Sequence, residues 1–580
     1  MLGFSNAKKS VKYARESLAI AQEDNNLYGK AGALGNLGRT LFLAGDLPEA
    51  EKTLREAIKI FESVRISLGE KDLQKVSFFD IYTDVYELLQ QVLIAQNKSI
   101  AALEIAEQGR AKSFSELLVS RAGLTKIPET SFNLEQIKKV AKEQNATLVE
   151  YSIIYDSSQA LVPARIRGLQ PNQESKLLIW VVQPNGEVQF RQVDLKNWRK
   201  QHNISLGDKI AQTRQSIVKG VNVASRGNNI TLTPGDRVKL EGDLPQWDSW
   251  EVLSVNPQNQ TITVFLPSGG TGTKSDRLIT DVVEKITNTS GANTQNSQLQ
   301  ELYQLLIQPI ADSLPKEETA RVIFIPHGAL FFVPFPALQD ANREYLIDKH
   351  TILTAPSIQV LNLTHQQRQL ISQSSKNVVV VGNPTMPKIS KIPGQPPRQL
   401  ASLPNAENEA KAIASVFQTQ PLIGEKATKA SILRLLPKAR IIHLATHGLL
   451  DDFTGGGVPG AVALAPSGND NGLLTASEIL DLKLNAELVV LSACDTGSGR
   501  ITGDGVIGLS RSLITAGVPS VIVSLWLVPD APTATLMAEF YQNNRKLDRA
   551  AALRQAMLTI KKKHPNPGDW AAFTLIGESE

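Results

Sequence analysis

The sequence predicts an α/β domain built on a largely parallel sheet, preceded by an all-α solenoid and carrying a small all-β insertion. Three observations carry this. Residues 1–122 return apolar side chains every three or four positions, the helical period. Beyond them, short β-branched runs alternate with helical periodicity, the signature of a sheet covered by helices. Between about residues 226 and 281 only short alternating strands and turn residues remain.

The helical segment is rich in Ala, Leu, Glu and Lys and has almost no proline. Within it, GALGNLGRTLFLAGDLPEAEKTLREAIKIFES places Leu37 and Gly38 in a first helix and Ala50, Leu54 and Ala57 in a second. A tetratricopeptide-type repeat of about 34 residues needs small and apolar residues at these places, where its paired helices approach. A weaker copy with Ala14, Leu18 and Ala21 precedes it, and another follows around Leu89, Ala101 and Ile105. About three repeats are the minimum for a solenoid to bury its own faces, so the array is expected to dock on the rest of the chain or to be truncated relative to longer relatives. An ordinary helical bundle is the alternative.

After IPETSF come TLVEYSIIY, KLLIWVVQPNGEVQF, RVIFI, KNVVVVGNP, RIIHLATHG, ELVVLSACDTG, SVIVSLW and AAFTLIG, so the second domain is expected over 123–580. Several of these runs are apolar on both faces, as strands of a doubly covered parallel sheet are. The 226–281 insertion reads as a small β-barrel-like unit, with Trp247 and Trp250 expected in its core or rim rather than in a ligand box. The polar tract TNTSGANTQNSQ that follows is expected to be a mobile linker.

Composition narrows the function. The 580 residues are 42% hydrophobic and 20% charged, ordinary for a globular protein. A net charge of +4 from scattered residues supplies no basic tract, so nucleic acid is not an expected partner. The single cysteine, Cys494, forms no internal disulfide and suits a reducing compartment. MLGFSNAKKSVKYA lacks the apolar core of a secretory signal, and no stretch reaches the roughly 18–20 apolar residues of a membrane span. The expectation is a cytoplasmic chain with no membrane partner.

Two strand ends carry candidate chemistry. RIIHLATHG delivers His447 and then Gly448; ELVVLSACDTG delivers Cys494. In open α/β sheets the loops at the carboxyl ends of neighbouring strands meet in one crevice. A thiol attacks an amide carbonyl as thiolate, and an adjacent imidazole removes its proton and later protonates the leaving amine. The backbone N–H groups of Gly448 and Cys494 are candidates for the oxyanion donors. Taken singly, a cysteine at a strand end is often a small buried hydrophobe and a His-Gly pair a turn; the two together, in this order, are more specific.

From about residue 321 to 545 the chain resembles the CHAT family, relatives of caspases and separase, through IPHGALFFVPFPAL, VVVVGNP, LPNAENEAKAI, IIHLATHG, GLLTASEILDL, VVLSACDTG, GLSRSLITAGVPSVIVSLWLVPD and FYQNN. EYSIIY and LLIWVVQPNG extend the resemblance upstream, and AALEIAEQGRAKSFSELL is similar to the helix that joins repeats to such domains. The resemblance implies a caspase-haemoglobinase-like fold, with a pseudo-protease half at about 145–370 and an active half at about 375–580. It also implies a cysteine endopeptidase that cuts protein substrates with His447 as base and acid and Cys494 as nucleophile, needing no metal and no cofactor and working in bacterial stress, defence or cell-death signalling. A protein partner would be bound by the helical repeats. The alternatives are a catalytically silent scaffold or a module regulated by a nucleoprotein.

His443 and His447 share the HxxxH spacing of a helical metal site, but on a strand four residues span about 13 Å, too far for one ion. His327 repeats the His-Gly pair without a cysteine on a neighbouring strand and is expected to be structural or adjacent to substrate. For the first substrate pocket, Asp495 and Asp530 are acidic candidates, which favours a basic residue before the scissile bond. Asp530 also suits a helix N-cap. Trp526 either walls the cleft or fills the core. Arg500 lies in what reads as a flexible glycine-containing loop and Arg511 in a helix; neither clearly points at the cleft.

Overall fold

Small residues set the spacing of the N-terminal helices. In the computed structural model, which describes every residue except 1, 25, 68–71, 111, 123–131, 157–173, 218–220, 226–227, 233–236, 241–249, 257–260, 267–272, 279–281, 287–291, 372–376, 390–396, 450–459, 493–499, 503–504 and 527–529, six helices come first. They are α1 (Leu2–Glu23), α2 (Leu27–Ala44), α3 (Leu47–Ser67), α4 (Asp72–Ala95), α5 (Ser99–Gln108) and α6 (Lys112–Ala122). A Cβ on Gly38 would lie 2.5 Å from the Leu54 side chain, so glycine is what lets α2 and α3 approach. Leu37, Ala50, Leu54 and Ala57 are buried at that contact, as the repeat pattern requires. Asn26 caps α2 by accepting from the Gly29 N–H, and Gly45 ends it in the left-handed region at φ 84°.

The array is docked. One apolar cluster runs from Ala31 and Leu34 through Leu89 and Ile105 into Ile137, Val149 and Ile323 of the α/β part. Helix α7 (Leu134–Glu143), closed by an Asn133/Gln136 capping box, then leads into the main sheet. That sheet has eleven strands in the order Leu422–Gly424, Asn377–Pro384, Ala439–Ala445, Leu488–Leu491, Ser520–Ser524, Phe573–Gly577, Thr351–Thr354, Arg321–Ile325, Ala146–Tyr155, Glu174–Val182 and Val188–Asp194. Neighbours are parallel except where Phe573–Gly577 meets Ser520–Ser524 and along the hairpins at the Val188–Asp194 edge. Strands Leu488–Leu491 and Ser520–Ser524 are buried at every position, which is why their sequences are apolar on both faces. The late strand Phe573–Gly577 also pairs with Thr351–Thr354 through Thr354 and Ile576, so both halves of the α/β part share one sheet.

The insertion is a five-stranded antiparallel sheet, in the order Val282–Ile286, Arg237–Leu240, Trp250–Asn256, Thr261–Leu266 and Thr273–Leu278, preceded by the hairpin Val221–Ser225/Asn228–Leu232. It has its own core, in which Trp250 is buried with Val238, Val252 and Val264; Trp247 lies outside the described residues. The tract after it departs from the expected linker. All of ANTQNSQ forms the start of the helix Ala292–Leu306, because Leu299, Leu302 and Leu306 farther along bury the helix against the main core and carry the polar first turns with them.

Helix α6 joins the array to the sheet. From α3, the fully buried Arg65 reaches Glu116 of α6 at 2.7 and 2.5 Å and also holds Glu62. On its other side, Phe114 and Leu118 enter the core formed by Ile442, Val489 and Val521. Just before α6, Arg110 donates to the carbonyls of Tyr151, Ile325 and Pro326 at 2.5, 3.2 and 2.8 Å. Glu107 accepts the Ile358 and Gln359 N–H groups at 2.8 and 3.1 Å, capping the helix Ile358–Leu370. Burial raises Glu107 and Glu150 alike, and the charge of Glu107 raises Glu150 further.

Candidate active site

The strand Ala439–Ala445 ends on a backbone that is tied down on both sides of His447. Thr446 donates its hydroxyl to the Ala463 carbonyl at 2.8 Å, and the Ala463 N–H donates to the His447 carbonyl at 3.0 Å. Gly448 then opens the short strand Gly448–Leu449, paired in an antiparallel sheet with Ala461–Ala463 and Leu473–Thr475. Beneath lies a satellite apolar cluster that includes Met386, Leu400, Leu403, Ala445 and Ala463. Only 9% of His447 is exposed. Its Nε2 lies 2.8 Å from the Ala401 carbonyl oxygen, an acceptor, so Nε2 carries the hydrogen and Nδ1 is left as the basic nitrogen of the neutral ring.

The neighbouring parallel strand is Leu488–Leu491, in the register Ile441↔Leu488 to Leu444↔Leu491. His447 stands three residues beyond Leu444 in the sequence, and Cys494 three residues beyond Leu491. Cys494 and Asp495 themselves lie outside the described residues. After them the chain returns as the hairpin Arg500–Thr502/Gly505–Ile507, so the loop expected around Arg500 is in part a paired strand, its ends joined by the register Arg500↔Ile507. This hairpin lies against the 3-10 turn Gly328–Phe332 of the IPHG segment.

Comparison with known proteins gives the following likenesses. Residues 296–578 match the family model of the CHAT domain. That part of the chain is similar to CHAT domains. Over 93% of its length the chain is 28% identical to tetratricopeptide repeat protein 28 of Mus musculus and 27% identical to that of Homo sapiens, spanning 24% of each. Among solved structures, the separase–securin complex of Saccharomyces cerevisiae covers 99% of this chain and 40% of its own at 13% identity and a TM-score of 0.43. The Arg specific cysteine proteinase gingipain R covers 51% of this chain and 69% of its own at 12% identity and a TM-score of 0.32.

Two other histidines of the α/β part, His443 and His327, part company with His447. His443 is fully buried, with Nε2 3.0 Å from Glu409 and Nδ1 3.1 Å from the Tyr541 hydroxyl; it clamps the helices Pro404–Phe417 and Asp530–Asn543 onto the strand. The two histidines of HxxxH thus serve different surroundings, as strand spacing requires. His327 accepts the Ile153 N–H at Nδ1, 3.0 Å away, and burial, then the charge of Arg110, lowers it to about 3. It is a neutral structural acceptor. Among the described residues, no group of three or more His, Cys, Asp or Glu is placed to hold a metal ion.

Of the pocket candidates, Trp526 resolves toward the core: it is buried and its indole N–H donates to the Gly568 carbonyl at 3.2 Å. The reason is local, since the segment around Gly568 supplies the polar partner that a buried indole needs. Asp530 opens the helix Asp530–Asn543, and its side chain lies outside the described residues. Arg511 is buried in the helix Leu509–Thr515, with its guanidinium 5.3 Å from the centre of the Phe114 ring on α6. Sequence reasoning missed the carbonyl of Ala401, because a backbone group leaves no residue-type signal. It also missed the roles of Asn383, Glu407 and Glu409, although VVVVGNP and LPNAENEAKAI had marked their segments.

Proposed function

We propose that this CHAT-like domain is a cysteine endopeptidase, with Cys494 as nucleophile and His447 as base and acid. What supports it is that the two residues stand at equal sequence distance beyond the paired Leu444 and Leu491 of adjacent parallel strands, with the Nε2–H of His447 engaged by Ala401. Nδ1 of His447 takes the thiol proton, the thiolate adds to the peptide carbonyl carbon, and the N–H groups of Gly448 and Cys494 receive the oxyanion. Collapse breaks the C–N bond as the imidazolium protonates the amine. Water, deprotonated by the same imidazole, then hydrolyses the thioester and restores the thiol. Asp495 and Asp530 give the first pocket its acidic character, and the burial of Arg511 leaves that character unopposed from its side.

The substrate is a protein, and the tetratricopeptide-type array holds a protein partner; Tyr13, Ile20, Leu43 and Ile66 give it exposed apolar surface. No helix among the described residues is long and apolar enough to cross a membrane. The relatives that match are mammalian, and the bacterial setting gains no support from them. The test is incubation of the full chain with a peptide library and identification of products. Cys494→Ala is expected to abolish cleavage and leave the melting temperature in place, because one sulfur at a strand end costs little packing. A melt far below the parent's would make Cys494 a core residue; absence of cleavage and of thiol labelling in the parent would leave a protein-binding scaffold.

A further inference from the structure

We infer that Asn383 is a positioning residue for His447, acting through the backbone segment that presents the Ala401 carbonyl. The inference rests on the peptidase reading above and names a residue that the reading does not use.

The geometry runs in three steps. Asn383 lies near the end of the strand Asn377–Pro384, next to the His447 strand, and its backbone is left-handed at φ 44°. Asparagine tolerates that conformation better than most residues. From there its Oδ1 accepts the Leu403 N–H at 2.7 Å and the Ser402 hydroxyl at 3.1 Å, while its Nδ2 donates to Glu407 at 3.3 Å. The helix Pro404–Phe417 has Leu403 at its N-cap, and Asn383 accepts the N–H of that cap residue from the neighbouring strand, the donor that an N3 side chain takes in a capping box.

Ala401 is therefore bracketed. On one side the Leu400 N–H donates to the Pro387 carbonyl at 3.0 Å; on the other Leu403 is held by Asn383. The first bracket is backbone to backbone and survives any side-chain change. The second depends on one amide side chain. What the bracket holds is the oxygen that fixes the tautomer and plane of His447. Losing it lets residues 401–403 swing and turns the imidazole away from the cysteine, where misplacement by about 1 Å costs roughly a hundredfold.

The chain's single cysteine makes the test direct, because iodoacetamide alkylation of the full-length protein reports Cys494 alone. An imidazole aimed at the thiol depresses its pKa below the free value of about 8.5. The alkylation rate would be followed across pH for the parent, His447→Ala, Asn383→Gly and Asn383→Asp. Glycine accepts the left-handed backbone but has no acceptor; aspartate keeps the acceptor oxygen. N383G is expected to slow alkylation near pH 7 by up to about thirtyfold, since a free thiol of pKa about 8.5 is still about 3% thiolate there, and to move the midpoint toward the free thiol. N383D should restore most of both. A parent-like profile in N383G, a folded N383D as impaired as N383G, or loss of folding in both overturns the inference and leaves Asn383 a fold residue. If H447A itself leaves the profile unchanged, the dyad falls; if H447A shifts it and N383G does not, only the role of Asn383 falls.

Discussion

Gly382→Ala offers the sharpest link between packing and the site. A Cβ built on Gly382 would lie 2.4 Å from the Ala406 carbonyl oxygen and 2.4 Å from the Ala410 Cβ, both on the helix Pro404–Phe417. Ordinary contact begins near 3.4 Å, so the helix must lift from the sheet by about 1 Å, and one of the two clashing atoms is backbone that no rotamer change can move. Overpacking of this kind costs about 1–3 kcal/mol. The entropy lost from the unfolded chain on replacing glycine returns about 0.4–1 kcal/mol, so the net cost is roughly 1–2 kcal/mol. At roughly 2–4 °C per kcal/mol for a unit of about 150–250 residues, the melting temperature should fall by a few degrees. The lifted helix begins next to Leu403, so Ala401 moves with it and the alkylation of Cys494 should slow as well. Adding Ala410→Gly removes only the side-chain clash and should not restore either property. A G382A protein that melts with the parent and alkylates at the parent rate would refute the close approach on which this reasoning stands.

Three further outcomes are expected. Matched peptides differing only in the residue before the scissile bond should be cleaved after Arg or Lys in preference to Asp; a clear Asp preference would remove Asp495 and Asp530 from the pocket while leaving the dyad in place. The His365–Glu578 contact at 2.7 Å should make stability pH-dependent. Burial alone would raise Glu578, yet hydrogen bonds from His365 and Gln144 bring it down to about 2 from an ordinary 4.5, so its contribution is present above pH 4.5 and is lost as pH falls toward 2. His365 is raised above 6.5 by that hydrogen bond, against burial, so its contribution is full below pH 6.5 and fades as pH rises through the raised value. The melting temperature should therefore lose part of its pH dependence in Glu578→Gln, and an unchanged profile counts against the pair. Finally, Arg65→Ala removes the buried cation shared by Glu62 and Glu116, a loss of roughly 1.5–3 kcal/mol because both carboxylates keep some solvent, and should speed hydrogen exchange in α6; unaltered protection there would mean that the Arg65 bridge does not hold α6.

The sequence by itself determined the class of the fold, because apolar period is a local property that each segment carries in its own residues. The Leu37/Gly38 and Ala50/Leu54/Ala57 spacing specified a close helix pair, and doubly apolar runs such as ELVVLSA specified covered parallel strands. It also brought His447 and Cys494 to notice, since chemistry-bearing side chains at strand ends are visible one residue at a time. What only the tertiary structure decided concerns groups whose meaning lies in a distant partner. ANTQNSQ reads as linker until Leu299 and Leu302 find a core to bury in. Trp526 was undecided between cleft and core until the Gly568 carbonyl took its N–H. The distinction between His443 and His447 became concrete through Glu409 and Tyr541 on one ring and Ala401 on the other, all three outside the histidine strand. Local pattern records burial and backbone preference. The carbonyl that engages the His447 imidazole meets it only after the chain has closed, and a carbonyl is the same at every position of the sequence.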